Sequence, residues 1–277
     1  MIMESIGRHL DSGIEVTPEL AGVDIGLVER IHEAFDEADN LLNEAQKTET
    51  AVAVSIILPV YNEQKTLRKV VERVVALPIH KEILIVDDGS TDGTSEVVDQ
   101  LAEIPEVRIV RHERNRGKGA ALRSGLQMAR GEVVVVQDAD LEYDPTDIMM
   151  LIGPILAKRC DVVYGSRYLA PVESDGWVHR NGNQFLTRLS NMFTGQQLTD
   201  METCYKAVRR SVFKNFELKQ NRFGIEPELT AKLSRCGKKI YEMPIAYKSR
   251  GYADGKKIGL RDAFKAVWCI LRYGLAQ

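Results

Sequence analysis

Four short polar clusters hold the residues whose types could do chemistry, and each follows an apolar run. Pro59-Val60-Tyr61-Asn62-Glu63 closes the first run and Asp87-Asp88-Gly89-Ser90-Thr91-Asp92-Gly93 the second. Asn115-Arg116-Gly117-Lys118-Gly119 leads on from the third, and Asp138-Ala139-Asp140 closes the fourth. Asp138 and Asp140 flank a single residue. Strand alternation would point them to opposite faces, but a turn brings both to one hard cation. Carboxylate oxygens suit Mg²⁺ or Mn²⁺, which also grips a diphosphate. Such an ion neutralises charge on a departing nucleoside diphosphate. The same pattern serves elsewhere as a turn or cap, so position decides between the two.

Asp87 and Asp88 are adjacent acids that repel unless a ligand donor shares them, and a base or ribose is a natural partner. Thr91 or Asp92 can cap the next helix while the glycines turn the chain. Arg116 to Gly119 can cradle phosphate at a helix N-terminus, and a basic loop capped by glycine fits the same residues. Neither the Walker A spacing nor GxGxxG occurs, which disfavours a P-loop and NAD or FAD binding.

The elements that must position these clusters follow from periodicity. The β-branched run at 54–60 is a buried strand. Helices are expected at 63–76, 95–102 and 117–129, and strands at 82–86, 107–111 and 132–137. Strand and helix alternate with short links, which specifies a mostly parallel α/β sheet. Ligands bind such sheets at the carboxyl ends of the strands, where all four clusters fall. Beyond Asp140 the pattern gives a helix at 145–157, a strand at 161–164 and a loop over 169–183. Helices at 185–193 and 226–234, a strand at 239–243 and a helical tail at 259–273 complete it.

Residues 1–50 form a helical extension, with Leu27, Val28, Ile31, Phe35, Ala38, Leu41, Leu42 and Ala45 at helical spacing. Residues 51–277 are expected to form one α/β domain that ends in an amphipathic helix. The 277 residues are 44% hydrophobic and 28% charged, an ordinary globular composition, with formal net charge −3. A pI near 6.0 argues against nucleic-acid binding. Cys160, Cys204, Cys236 and Cys269 form no CxxC pair, so zinc is not expected and the thiols suit a reducing cytoplasm. The start lacks the apolar core of a signal peptide, and no apolar run approaches the ~20 residues of a membrane span. The expected location is cytoplasmic, with peripheral contact at the inner face of the membrane. The five histidines show no ligand spacing and are given no role.

The first cluster with its strand, Ile85 to Thr94, and Asp138-Ala139-Asp140-Leu141-Glu142 together resemble the family 2 glycosyltransferases. Within that family the chain is most similar to the dolichyl-phosphate mannose synthase and polyprenyl-phosphate glycosyltransferase group, over about residues 52–273. The resemblance implies a GT-A fold, a mostly parallel sheet flanked by helices, and inversion at the anomeric carbon. It implies that Pro59, Tyr61, Glu63, Asp87 and Asp88 hold the nucleoside, with Lys118, Asp138 and Ala139 also on the nucleotide-sugar. Asp138 and Asp140 would bind metal and diphosphate. Glu142 stands where the family often has Gln, as a third ligand. Gly165-Ser166-Arg167 resembles the arginine near the acceptor phosphate, and Arg250 with Gly255-Lys256-Lys257 a basic loop over phosphates. Cys204-Tyr205 departs from a Ser-Gly-Phe-like run.

The implied reaction is direct displacement at the anomeric carbon through an oxocarbenium-like transition state. Asp140 is central to it, and Lys118 and the metal would stabilise the leaving diphosphate. Arg167, Arg209 and Arg250 could grip a second anion bidentately, with Lys256 beside them. A polyprenyl phosphate acceptor arrives ionised, whereas a sugar hydroxyl needs a general base. Asp200, Glu226 and Glu228 are the candidates, although acids that open a helix also suit its positive end. The tail mixes Leu260, Phe264, Val267, Trp268, Leu271 and Tyr273 with Arg261, Lys265 and Arg272. It fits an anionic membrane surface, a core-packed helix or a homodimer contact. Rival readings are transfer to a hydroxyl in polysaccharide or glycolipid synthesis, a sugar-nucleotide pyrophosphorylase, and a non-catalytic nucleotide-sugar binder.

Overall fold

The computed structural model describes residues 52–169, 177–248 and 260–275. The expected extension at 1–50, Arg250 and Lys256 lie outside the described residues. Seven strands form one sheet in the order β3-β2-β1-β4-β6-β5-β7. They are β1 Val54–Val60, β2 Lys81–Asp87, β3 Val107–Arg111, β4 Val133–Val136, β5 Val162–Ser166, β6 Lys206–Arg209 and β7 Tyr241–Pro244. The helices are α1 Leu67–Val75, α2 Thr94–Leu101, α3 Lys118–Met128, α4 Asp147–Leu156, α5 Trp177–Thr194, α6 Ile225–Arg235 and α7 Leu260–Leu275.

β1, β2, β3 and β4 are parallel neighbours, as the alternation requires. β4 is four valines buried on both faces, and each such side chain contributes roughly 1.5–3 kcal/mol by burial. α1 buries Leu67, Val70, Val71 and Val74, a stripe at i, i+3, i+4 and i+7. α3 lies close on β1 because Gly125 has no side chain. A Cβ there would sit 2.5 Å from a methyl of Ile57.

The chain winds from β1 outward to β3 and then returns to β4 on the other side. That reversal opens a crevice between the carboxyl ends of β1 and β4, where doubly wound sheets bind ligands. Local chemistry widens it. The Ile57 carbonyl still accepts the Gln137 N–H, but two residues on Pro59 has no N–H to offer β4.

Three features differ from the sequence reading. β6 was not anticipated, and it runs antiparallel between β4 and β5. Four residues with charged ends are too short to show a period of two. Helix α5 begins at Trp177, inside the stretch expected as a loop. The 3₁₀ turn Arg210–Asn215 after β6 is also new. Because β6 is reversed, its first residue, Lys206, lies at the site edge. Its last, Arg209, lies beside Val133 at the opposite edge.

Candidate active site

The loops after β1 and β2 are fastened to each other. Asn62 donates its N–H to Ser90 Oγ at 3.1 Å and accepts the Thr91 N–H at 2.8 Å. Glu63 N–H donates to Thr94 Oγ1 at 2.9 Å. Asn62 adopts φ 55°, a conformation that asparagine tolerates well. Pro59, Tyr61 and Glu63 are all partly exposed here.

Asp87 and Asp88 are buried, and each has its own donors. Asp87 accepts the Ser90 N–H at 2.9 Å and the Ser95 hydroxyl at 2.8 Å. Asp88 accepts the N–H groups of Arg116 at 3.0 Å and Gly117 at 2.6 Å. His112 Nδ1 lies 2.6 Å from Asp88, and its Nε2 lies 2.8 Å from Ser124 Oγ. No ligand is needed to relieve the adjacent charges. The two aspartates shape the loops that line the crevice, and their donors come from the protein itself.

Asp88 also sets the phosphate loop. It holds Gly117 at φ 95°, a conformation suited to glycine, and Lys118 opens α3 immediately after. Lys118 Nζ lies 2.9 and 3.1 Å from the two oxygens of Asp138 and 3.6 Å from Glu226. Burial works against both charges. Lys118 nevertheless holds the Asp138 carboxyl below its usual range, and Asp138 raises Lys118 well above its own. Asp140 caps the next turn, accepting the Glu142 N–H at 3.2 Å. Leu141 between them has φ 55°, strain of the kind that collects at functional sites.

Among the described residues no three His, Cys, Asp or Glu side chains converge as a metal cage. Mg²⁺ commonly takes one or two carboxylates and completes its shell with substrate phosphates and water. Asp138 and Asp140 are carboxylates of the kind such a site would use. Glu142, expected as a third ligand, accepts the Tyr247 hydroxyl at 3.0 Å.

On the far side of β4 the acids meet cations. Arg167 grips Asp200 bidentately, at 2.7 Å from Nε and 2.8 Å from Nη2, and its own N–H adds a third bond at 3.1 Å. Glu242 accepts the Asp200 N–H at 2.9 Å. Asp200 is fully buried with both oxygens bound to Arg167, so the role of general base is set aside. Glu226 bridges two lysines, with Lys206 Nζ at 2.5 Å and Lys118 on its other oxygen. It positions cations rather than taking protons. Glu228 accepts the N–H groups of Lys219 at 2.8 Å and Gln220 at 2.7 Å, a structural duty. Arg209 is corrected outright. At the amino edge of the sheet it pairs with Glu132 and with Asp161, and it cannot reach an acceptor at the other end.

The profile described as Glycosyl transferase family 2 matches residues 55–216. The chain belongs to this family. The family 2 chain is 32% identical over 209 residues to the undecaprenyl-phosphate 4-deoxy-4-formamido-L-arabinose transferase of Sodalis glossinidius, covering 73% of this chain and 62% of that one. It is 28% identical over 228 residues to the dodecaprenyl-phosphate galacturonate synthase of Rhizobium johnstonii, covering 80% and 66%. The chain thus spans less than two thirds of the length of the first of these relatives. An uncharacterised Methanocaldococcus jannaschii protein matches over 98% of its own length at 27% identity, covering 86% of this chain.

Among solved structures, glucosyl-3-phosphoglycerate synthase from Mycobacterium tuberculosis in complex with UDP superposes with TM-score 0.66 at 20% identity, covering 85% of each chain. The same enzyme with Mn²⁺, UDP-glucose and phosphoglyceric acid gives 0.66 at 21%, covering 87% and 84%. The fold of the family 2 chain is therefore GT-A.

Three residues of this family 2 site escaped the sequence reading. His112 carried no ligand spacing, yet it buttresses Asp88. Lys206 was given no role, yet it is 1% exposed and holds Glu226. Glu202 was given no role. Burial, reinforced by Glu226, pushes its carboxyl up to about 7.

Proposed function

We propose that this chain transfers a sugar from a nucleoside diphosphate donor to a polyprenyl phosphate, with Mg²⁺ or Mn²⁺ at Asp138 and Asp140. The observation that carries the reading is the continuous run Asp138–Lys118–Glu226–Lys206 across the crevice. Its two cations, Lys206 buried and Lys118 partly buried, would meet a departing diphosphate. The curated relatives named for undecaprenyl and dodecaprenyl phosphate support the acceptor. The Mn²⁺ and UDP complexes of the structural relatives support the metal and the donor class.

In this reading the loops tied by Asp87 and Asp88 receive the nucleoside, with Pro59, Tyr61 and Glu63 along the crevice. Lys118 meets the diphosphate at the start of α3. The bound metal would supply further charge stabilisation of the leaving group. An acceptor phosphate oxygen attacks the anomeric carbon as the bond to the nucleoside diphosphate breaks. The attacking oxygen is already ionised, so no base is required. That agrees with Asp200 and Glu226 both being spent in ion pairs.

The acceptor's membrane is met by the outer surface of α5 and α7. Phe264, Trp268, Leu271 and Leu275 of α7 and Phe185 and Met192 of α5 are exposed, and Arg272 stacks on Trp268 at 4.7 Å. No helix among the described residues is long and apolar enough to cross a bilayer, so contact would be peripheral. The test is sugar transfer from UDP- and GDP-sugars, with and without Mn²⁺, to undecaprenyl phosphate against sugar alcohols. Product on the lipid phosphate is expected. Product on hydroxyls alone would replace the acceptor reading.

A further inference from the structure

The loop from Asp200 to Cys204 carries an anomaly. Buried side-chain polar atoms are normally hydrogen-bonded. Among the described residues two sealed side-chain oxygens have no partner, Glu202 Oε1 and Thr203 Oγ1, and they belong to adjacent residues. The loop wraps the ion-pair run. Lys206 Nζ accepts no proton here but donates to the carbonyls of Met201, at 3.0 Å, and Thr203, while it also pairs with Glu226.

Counting charges locates the cause. Asp138, Asp200, Glu202 and Glu226 share three cations, Lys118, Lys206 and Arg167. Lys118 is taken by Asp138 and Glu226, Lys206 by Glu226, and Arg167 by Asp200. Glu202 is the acid left over. The charged groups that act on it are Glu226 on α6, Lys206 on β6, Arg167 after β5 and Asp200 in its own loop. An ionised carboxylate with a sealed oxygen and no donor is costly, whereas the neutral acid is tolerated. The side chain is only partly buried, so the acid can meet an incoming group.

We propose that Glu202 acts as a neutral carboxylic acid that donates a hydrogen bond to a phosphate oxygen of the acceptor. The inference rests on the polyprenyl phosphate reading above. The proton stays on Glu202 through the transfer, and no bond to it is made or broken. A carboxyl pushed up to about 7 is protonated below that pH and ionised above it. Ionised Glu202 loses its donor and repels the phosphate, so the acceptor KM rises with pH while kcat changes little.

The experiment measures kcat and acceptor KM of the full chain against undecaprenyl phosphate in detergent micelles from pH 6 to 9. It compares wild type, Glu202→Gln and Glu202→Ala, with Mn²⁺ and the donor sugar nucleotide held saturating. Wild-type KM is expected to rise up to about tenfold per pH unit above the carboxyl's pKa. Gln keeps an N–H donor without a charge, so E202Q should retain kcat and show a flatter KM profile. The acceptor's own second ionisation is common to both proteins and drops out of their ratio. E202A should raise KM about tenfold at low pH, the loss of one hydrogen bond to a charged group. A fall in kcat of roughly 10²-fold or more in E202Q would make Glu202 a general base and overturn the inference. So would an E202Q profile that rises as steeply as wild type. A wild type that transfers nothing to undecaprenyl phosphate at any pH overturns the acceptor reading itself, and the inference with it.

Discussion

In the half of the molecule built on β1, β2 and β3, buried acids are held by the main chain. Asp87 and Asp88 accept N–H groups of their own and neighbouring loops, with Ser95 and His112 in support. In the half built on β5, β6 and β7, buried acids are held by cationic side chains, Asp200 by Arg167 and Glu226 by Lys206. Main-chain donors stay in place whatever binds, so the loops after β1 and β2 are formed in advance. Cationic partners are few and shared, so the half built on β5, β6 and β7 responds as a unit when one charge changes. Asp138 lies at the seam, with Lys118 joining it to both halves.

The sharpest way to break this division is at the seam. Asp140→Ala removes half of the proposed metal donor set while leaving the sheet untouched. The expected result is a fall in kcat of about 10³-fold, the scale of losing a positioned electrostatic group. The thermal midpoint should change little, and donor titrations should lose their Mn²⁺ dependence. Activity near wild type would remove the metal role.

Next in size is the ion-paired half. Lys206→Met leaves Glu226 buried with only Lys118 near it. Removing one member of a buried pair costs about 3–5 kcal/mol. The urea midpoint should fall with an unchanged slope. Replacing both members, as Lys206→Met with Glu226→Leu, should recover most of that loss. If the single substitution were mild and the double one severe, the pair would not be acting as described.

These two halves were also unequally legible in the sequence. Strand ends in a parallel sheet meet at one edge by topology alone, so Pro59, Asp88, Lys118 and Asp138 could be gathered before any coordinates. The long apolar runs behind them set the period. What held Asp87 and Asp88 was less visible, because the Asp88 donors come from Arg116 and Gly117, 28 and 29 residues on. Beyond Asp140 local pattern fails. β6 is four residues long, yet its reversed direction decides that Lys206 faces the site and Arg209 does not. The Arg167–Asp200 pair spans 33 residues with no periodic signal. Glu202 could not be singled out, since its state depends on which neighbours have already claimed the cations.

The main-chain-held half should give a smaller response. Asp88→Asn keeps the shape but removes the charge and replaces one acceptor oxygen with a donor. Hydrogen bonds to charged groups are worth about 1.5–3 kcal/mol, and the main-chain donors of Arg116 and Gly117 compete for what is left. We expect a stability loss near the lower end and a rise in donor KM as the Gly117 turn loosens. Acceptor KM should hold. A change in acceptor KM as large as that in donor KM would mean the halves are coupled more tightly than their hydrogen bonds imply.

The smallest effect is expected at Arg209, and it tests the direction of β6. The side chain pairs with Glu132 and Asp161 at the edge remote from Asp138, and both acids are substantially exposed. Such pairs contribute about 0–1 kcal/mol each. Arg209→Ala should therefore shift the urea midpoint slightly and leave both kinetic constants within about twofold, below the tenfold that 1.36 kcal/mol produces. Arg167→Ala, five residues past the start of β5 and paired with Asp200, should differ sharply by raising acceptor KM. A tenfold rise in acceptor KM in the Arg209 variant would require that residue at the site edge. It could stand there only if β6 ran parallel to β4, and the Lys206–Glu226 pair would then have to be abandoned with it.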